Sequence, residues 1–378
     1  MVGLREEWDA LWHRSRGSYI QTSACALHSW DVLEADGGSQ LFCLVGRDDV
    51  GMLAVVWPLV VHLRALWRVA RQLGPLAAEF TAVLVADTDH ADRQVAAAWA
   101  AAVDLVETDV IDLPFVKDDS PLARAVASQP HTRVSEHDVA PYAHLTEHPD
   151  WKTYTAGLSA RHRKKHRAAR RKLAAQGDIV FEVVEGPDTR TPALVSWMLT
   201  QKRVWSTRSG KTGGWVFDDR YREVLTRLAT DPNPAPPIVL FVLHLDGNPI
   251  AVKVAAVGRA HLDLIIAGYA PAHASHSPGT RLDEYWVPWA FARRLDVDFG
   301  AGGEHYKQFW SQGRTATTTR YMIPTRTWGR AGMMTQQGAT RGQAALRDAT
   351  SAVHRRINRA ASHDTWKRLA AAANRPAR

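Results

Sequence analysis

Between Leu262 and Trp310 the chain sets out a strand, a loop rich in Gly and Pro, a helix and a second short strand. Strand His261–Tyr269 closes on Gly268-Tyr269, and its loop ends in Ser277-Pro278-Gly279-Thr280 ahead of the helical pattern from Arg281 to Arg294. A loop that delivers a helix N-terminus holds an anion, because unpaired backbone N–H groups and the helix dipole both point at it. Thr280 adds a hydroxyl and Arg281 a charge, although Arg281 also reads as a surface residue of the helix. The second strand, Val297-Asp298-Phe299, leads into Gly300-Ala-Gly-Gly-Glu304-His305-Tyr306-Lys307. Asp298 and Glu304 are candidates for a general base. A carboxylate in an apolar strand has a raised pKa unless it is paired. Lys307 is a partner for either, so a structural Glu304–Lys307 or Asp298–Lys307 pair is the rival reading. Tyr306 offers a phenol, an acid with an unperturbed pKa near 10; its rival role is core packing against Phe309. Trp205, Trp215 and Trp310 are candidates to line a pocket for a sugar-like ligand, since indoles stack on sugar rings, and each also reads as core. There is no metal-ligand spacing, no phosphate-binding Gly-x-x-x-x-Gly-Lys-Ser/Thr loop and no nucleophile elbow.

The elements that must position these residues follow a recognisable order. Ile179 to Val184 reads as a strand, Thr191 to Trp205 and Asp218 to Ala229 as helices. Ile238 to Leu245 and Ile250 to Val257 form a hairpin across Asp246-Gly247-Asn248, a strong turn signal. Strands at Thr317 to Ile323 and Thr325 to Trp328 are expected to close the unit. Upstream, residues 1–150 read as an α/β unit round a mainly antiparallel sheet. Its helices are Glu6 to Arg14, Gln21 to Leu33 and Ala91 to Val106, and its strands Leu41 to Gly46, Leu53 to Leu63, Val83 to Ala86 and Val110 to Leu113. The histidines there, His62, His90 and His131, are scattered and suggest no catalytic group. The join falls at Pro141 to Trp151, a second unit spans 151–335, and 336–378 is a helical tail with a loose apolar stripe.

Between Arg161 and Lys172 eight Lys or Arg crowd one predicted helix, too many for one face. The plain reading is a solvated helix burying Leu158, Ala169 and Leu173. The functional reading is a cationic arm over a phosphate-bearing ligand, nucleic acid or an acidic membrane surface. Dense like charge repels itself unless an anion is near. The 378 residues suffice for two domains, with 46% hydrophobic and 23% charged residues, a globular balance. The net charge of +8 favours anionic partners only weakly. The two cysteines, Cys25 and Cys43, exclude a disulfide framework and read as buried thiols. No signal peptide or transmembrane segment is visible, so the expectation is a soluble cytoplasmic protein.

Gly268-Tyr269, Ser277-Pro278-Gly279-Thr280, Asp298-Phe299, Gly302, Glu304, Tyr306-Lys307 and Trp310 resemble the signature of the CelD-like acetyltransferases. The strand Trp57-Pro58-Leu59 and the basic helix at Arg161 also fit that family. It is a bacterial branch of the GNAT acyltransferases with two tandem GNAT-like units, related in architecture to the Fem peptidyltransferases. The resemblance implies an α/β (α+β) fold of two such units and direct transfer of an acyl group from acetyl-CoA or another acyl-CoA to an amine. An amino sugar of envelope or exopolysaccharide metabolism is the acceptor class it suggests. It implies that coenzyme A lies against Gly268, Tyr269, Ser277, Gly279, Thr280 and Arg281, with the backbone N–H near Gly268 as oxyanion donor. It also implies that Tyr306 protonates the leaving thiolate. The usual Gln/Arg-x-x-Gly-x-Gly/Ala loop is thin here, with Gly279 the sole glycine in His276-Ser-Pro-Gly-Thr-Arg281. His305 stands where the family has proline and ranks third as a base, after Asp298 and Glu304. Two alternatives remain: a Fem-like transferase using charged tRNA, and a non-catalytic double-GNAT module binding nucleic acid or an anionic polymer.

Overall fold

The structure, a computed structural model, describes residues 2–33, 38–64, 66–75, 80–127, 129, 132–210, 214–232, 236–331 and 333. The helical tail expected over 336–378, and His131, lie outside the described residues.

Helices α1 (Arg5–His13) and α2 (Ser23–Leu33) open the chain. Trp8, Leu11 and Trp12 recur at helical spacing and are all buried, so α1 lies flat on the sheet behind it. Strands β1 (Gln40–Arg47), β2 (Leu53–Arg64) and β3 (Trp67–Gln72) form an antiparallel meander, with β4 (Leu84–Val85) beside the start of β2. Helix α3 (Ala91–Leu105), β5 (Val110–Lys117), α4 (Pro121–Ala127) and β6 (Arg133–Ala143) complete the first half. The sequence reading ended β5 at Leu113; the strand instead continues through Pro114 to Lys117. It does so by a bulge: Phe115 takes a positive φ of 51° and the pairing with the last strand slips there. Strand β6, exposed from Val134 to His137, shows no alternation to read, and β3 and α4 are short.

Helices α5 (Trp151–Ala156) and α6 (Ala160–Ala174) lead to β7 (Ile179–Glu185), α7 (Thr191–Ser209) and α8 (Asp219–Thr230). Asp150 caps α5 by accepting from the Thr153 N–H, and Asp218 caps α8 by accepting from the Arg220 N–H. Next come β8 (Ile238–Leu245), β9 (Asn248–Val257), β10 (His261–Tyr269), α9 (Pro278–Ala292), β11 (Asp296–Asp298), α10 (His305–Trp310) and β12 (Thr315–Pro324). The order expected between Ile179 and Ile323 is present. The expected strand Thr325 to Trp328 is not: the chain turns helical at Thr327 once β12 ends at Pro324, which has no N–H for a further ladder bond.

The strands lie in the order β1-β2-β3-β5-β12-β6-β11-β10-β9-β8-β7. The C-terminal strand β12 thus inserts between β5 and β6 of the first half, antiparallel to both. Two helical layers cover the second half. Helix α9 packs one face with Leu282, Trp286 and Val287 against Phe241, Ala251 and Ala255. Helices α7 and α8 pack the other face with Val195, Met198 and Val224 against Leu240, Val252 and Val254. Each such buried large aliphatic side chain contributes about 1.5–3 kcal/mol by leaving water. That framework fixes β10, the strand on which the site depends.

Candidate active site

Strand β10 pairs with β9 along its length. On its other edge it pairs with β11 in parallel at three positions only: His261 with Asp296, Leu262 with Val297 and Asp263 with Asp298. Beyond them the strands part. The segment after β11 follows β6 instead, with the Phe299 N–H donating to the Pro141 carbonyl and the Gly302 N–H to that of Val139. Residues 264–269 therefore present a strand edge with no strand partner among the described residues. Such an edge binds an extended ligand as an added strand. The glycine at 268 is dictated by α7: a Cβ there would collide with the Met198 carbonyl oxygen.

At the open end of this split lies the N-terminus of α9. Ser277 adopts a left-handed backbone (φ 52°) that turns the preceding short 3-10 helix, Pro271–His276, into α9. The Ser277 carbonyl accepts the Arg281 N–H. Pro278 has no N–H, so the first-turn donors without an intrahelical acceptor are those of Gly279 and Thr280. Tyr269 lies beside them, its ring 3.6 Å from where a Cβ on Gly279 would sit. Gly268, Tyr269, Ser277, Gly279 and Thr280 are therefore neighbours. Arg281 faces elsewhere. It is buried, with Nη1 donating to the His166 carbonyl at 2.5 Å and pairing with Glu284 Oε1 at 2.5 Å. Burial lowers its pKa against the pull of Glu284.

This contact docks the basic helix α6 against the first turns of α9. His166 Nδ1 lies 3.1 Å from Glu284, its ring 4.5 Å from that of Phe309. Arg163 donates to the Thr155 carbonyl, and Leu173 is buried. Arg161, Lys164, Lys165, Arg167, Arg170, Arg171 and Lys172 remain exposed, and among the described residues none makes an ion pair. One face of α6 is thus structural and the rest is an uncompensated cationic surface close to the N-terminus of α9.

Tyr306 stands on α10 at the other wall of the split. Its half-buried ring meets Phe299 edge-on, and Lys253 Nζ sits 4.6 Å from the ring centre. Burial, reinforced by Asp283 and Glu304, raises the phenol well above its ordinary value, so it carries its proton throughout the neutral range. Glu304 stands at the N-cap position of α10 without a side-chain capping bond and is partly exposed; Lys307 Nζ lies 3.1 Å from it and donates to the Ala301 carbonyl at 2.6 Å. Gly302, just before Glu304, takes a φ of 105°, a backbone that favours glycine. Asp298 is not paired with Lys307. It accepts from Lys117 Nζ of β5 at 2.8 Å and from the Gly300 N–H at 2.8 Å, and so ties the two halves of the molecule together.

The three tryptophans are separated. Trp310 is buried at the α10 end of the α9-side core, stacked on Trp151. Trp215 packs edge-on against Tyr221 in the opposite layer, and Trp205 on α7 carries Lys202 over its ring. Trp215 and Trp310 thus pack in cores on opposite faces of the sheet.

Two buried polar clusters escaped the sequence reading. Lys253 on β9 bonds Asp283 on α9, which also accepts from Trp286 Nε1 at 2.7 Å. Burial raises the Asp283 carboxyl and lowers the Lys253 ammonium, so both are pushed toward neutrality despite their contact. The second cluster lies where the halves meet. Asp263 accepts from the Tyr19 N–H at 3.1 Å and pairs with His261 Nε2 at 3.2 Å, beside Lys117 and Asp298. For His261 burial lowers the pKa, but Asp263 outweighs it and the net shift is upward. A lone charge within an apolar run, Lys253 in Ile250–Val257 or Asp283 beside Leu282, was the available signal.

Residues 160–308 match the family model described as Acetyltransferase (GNAT) domain. The match runs from α6 into α10. No curated protein matches the chain. Among solved structures the chain is similar to FemX, with a TM-score of 0.59 at 10% identity over 85% of this chain and 96% of that one. It is also similar to a conserved protein of unknown function from Bacteroides thetaiotaomicron VPI-5482, with a TM-score of 0.51 at 11% identity over 85% and 96%. A tandem GNAT protein from the clavulanic acid biosynthesis pathway aligns with a TM-score of 0.45 at 12% identity over 86% and 96%. At these identities the likeness to FemX and to the Bacteroides protein is one of fold. No described helix is long and apolar enough to cross a membrane.

Proposed function

We propose that this protein is an acyl-CoA-dependent N-acyltransferase of the CelD-like kind, acting in the cytoplasm on an amine such as an amino sugar of envelope or exopolysaccharide metabolism. The observation that carries this reading is the parting of β10 from β11 after Asp263, inside a matched GNAT domain, with Tyr306 on the facing wall. In this reading the pantetheine arm pairs with the edge 264–269, and the pyrophosphate meets the N–H groups of Gly279 and Thr280. The N–H near Gly268 faces the thioester oxygen as charge builds there. The amine nitrogen forms the new C–N bond, the C–S bond breaks, and the Tyr306 phenol gives its proton to the sulfur. Glu304, partly exposed and steadied by Lys307, takes the proton from the ammonium nucleophile. Asp298 positions the strand end rather than taking a proton, and Arg281 holds α6 rather than the cofactor.

The test is acetyl-CoA-dependent thiol release by the full chain over a panel of amino sugars and small amines. Turnover with at least one amine, with kcat reduced at least tenfold in Tyr306→Phe and KM for acetyl-CoA little changed, is expected. Full activity in Tyr306→Phe would remove it as the acid. A second reading, a Fem-like transferase fed by charged tRNA, is favoured by one observation, the exposed cationic face of α6 beside the α9 N-terminus. Transfer from charged tRNA with none from acetyl-CoA would replace the first reading by this one.

A further inference from the structure

The first half of the molecule repeats the parting of strands. Strands β3 and β5 pair in parallel at two positions only, Val69 with Val110 and Ala70 with Ile111. Beyond Ile111, β5 keeps β12 on one edge and has no strand on the other among the described residues. Pro114, which cannot donate to a ladder, lies on that stretch. A cavity of about 620 Å³ opens here, within the range that takes small ligands, and Pro114 lines it.

Its lining has a distinct chemistry. On the β2–β3 ladder, Val60, His62 and Arg64 alternate with Leu59 and Val61, which are buried in the core on the other face, and stand across from Arg71, Val69 and Trp67. At the inner end of this face Val60 and Leu73 pack under α1 and α2, while His62, Arg64 and Arg71 reach the cavity. Arg320 enters from β12. Arg71 and Arg320 both bind Asp112, a single buried carboxylate between two guanidiniums. Arg64 is exposed and makes no ion pair among the described residues. No described residue lining the cavity is acidic. Arg320 also pairs with Glu136 at 3.6 Å, so two carboxylates face three arginines. The rest of the wall sets Ile20, Leu33, Val69 and Phe80 beside the polar His62, Gln72 and Thr81.

We propose that the split between β3 and β5 is a second ligand site, which takes a small molecule with an anionic head, phosphate or carboxylate, on Arg64, Arg71 and Arg320, and an apolar arm against Val69 and Phe80. Arg64 has no ion pair among the described residues and Arg71 meets Asp112 through Nη2, so both keep donors for such an oxyanion, which a guanidinium binds in bidentate fashion, while Arg320, held by Asp112 and Glu136, adds its charge. The site stands apart from the acyl-transfer reading, since it uses none of the residues of the β10–β11 split.

The experiment is hydrogen exchange on the full chain with inorganic pyrophosphate, adenosine 3′,5′-bisphosphate or hexanoate, paired with titration calorimetry. Protection of 69–73 and 112–113 by any probe, with affinity weakened at least tenfold in Arg64→Glu, is expected. Binding of the two phosphates alone assigns a phosphate head, and of hexanoate alone a carboxylate head. Arg71→Gln tests the inner arginine, and its melting temperature reports whether loss of the Asp112 contact unfolds the variant. Arg64→Glu, altered only at the exposed rim, serves if it does. No protection at 69–73 by any probe, or unchanged affinity in Arg64→Glu, overturns the inference. If acetyl-CoA still protects 264–269 in that case, the proposed function stands. Protection at 69–73 by a probe, with none at 264–269 by acetyl-CoA, upholds the second site and removes the proposed function.

Discussion

Replacing Lys253 by Met tests whether the polar cluster under β10 is held together by a charge pair or by shape. The Lys253 and Asp283 side chains are 3% and 1% exposed. Met keeps most of the volume but leaves Asp283 with only the Trp286 N–H on one oxygen, while the other oxygen has no partner. Breaking a buried pair in this way costs about 3–5 kcal/mol, because the remaining charge is uncompensated. Loss of the ammonium from the faces of Tyr306 and Trp286, at 4.6 and 5.6 Å, adds about 0.5–1 kcal/mol each. The pH dependence has a definite sign. The folded Asp283 carboxyl is already raised, so between its unfolded and folded pKa the folded state binds the extra proton and stability falls as pH rises. Removing Lys253 raises it further. The variant should therefore lose little at pH 5 and the full amount at pH 8, read as the shift in urea midpoint. Lys253→Met/Asp283→Leu should recover most of the loss, since a well-packed apolar pair replaces an ionic one at little cost. Equal losses at both pH values, or a double variant as unstable as the sum of the singles, would refute the electrostatic account.

Gly268→Ala should lower stability by about 3 kcal/mol and abolish transfer together, because the new methyl meets the fixed Met198 carbonyl and displaces the strand edge. Circular dichroism melting and the thiol-release assay check the two effects. Arg281→Ala should cost about 2–3 kcal/mol through the lost charge-assisted bonds to His166 and Glu284 and free α6 locally. Faster tryptic cutting between Arg161 and Lys172 is the readout. His261 should titrate above the ordinary imidazole value by NMR and fall back in Asp263→Asn. Its raised folded pKa means that its contribution to stability is complete below about pH 6.5 and is lost as pH rises through the folded value.

Much of the second half was legible because its signals are local. The Asp246-Gly247 turn, with φ 49° and 77°, is what a tight hairpin demands, and the chain reads so. The basic helix, the loop ending at Thr280 and α10 also announce themselves by composition. What was illegible is set by pairings distant in sequence. Nothing in Thr315–Pro324 says that it lies between β5 and β6, and Arg133–Ala143 shows no clean alternation because much of it is exposed. The partner of Asp298 is Lys117, 181 residues away, whereas the local candidate Lys307 turned to Glu304 and Ala301. Arg281 reads as a free charge beside an anion site; its burial under α6 follows only from the tertiary contact with His166. The three tryptophans shared a chemistry but not an address, since Trp205 and Trp310 belong to opposite helical layers of one sheet.

The central claim is that acyl-CoA occupies the β10–β11 split. Hydrogen exchange of the full chain with and without saturating acetyl-CoA tests it most directly, beside a thermal shift worth roughly 2.7 kcal/mol at about 100 times the dissociation constant. Slowed exchange at 264–269 and at Gly279 and Thr280 is the expected result. Unchanged exchange there at every concentration of acetyl-CoA would contradict it.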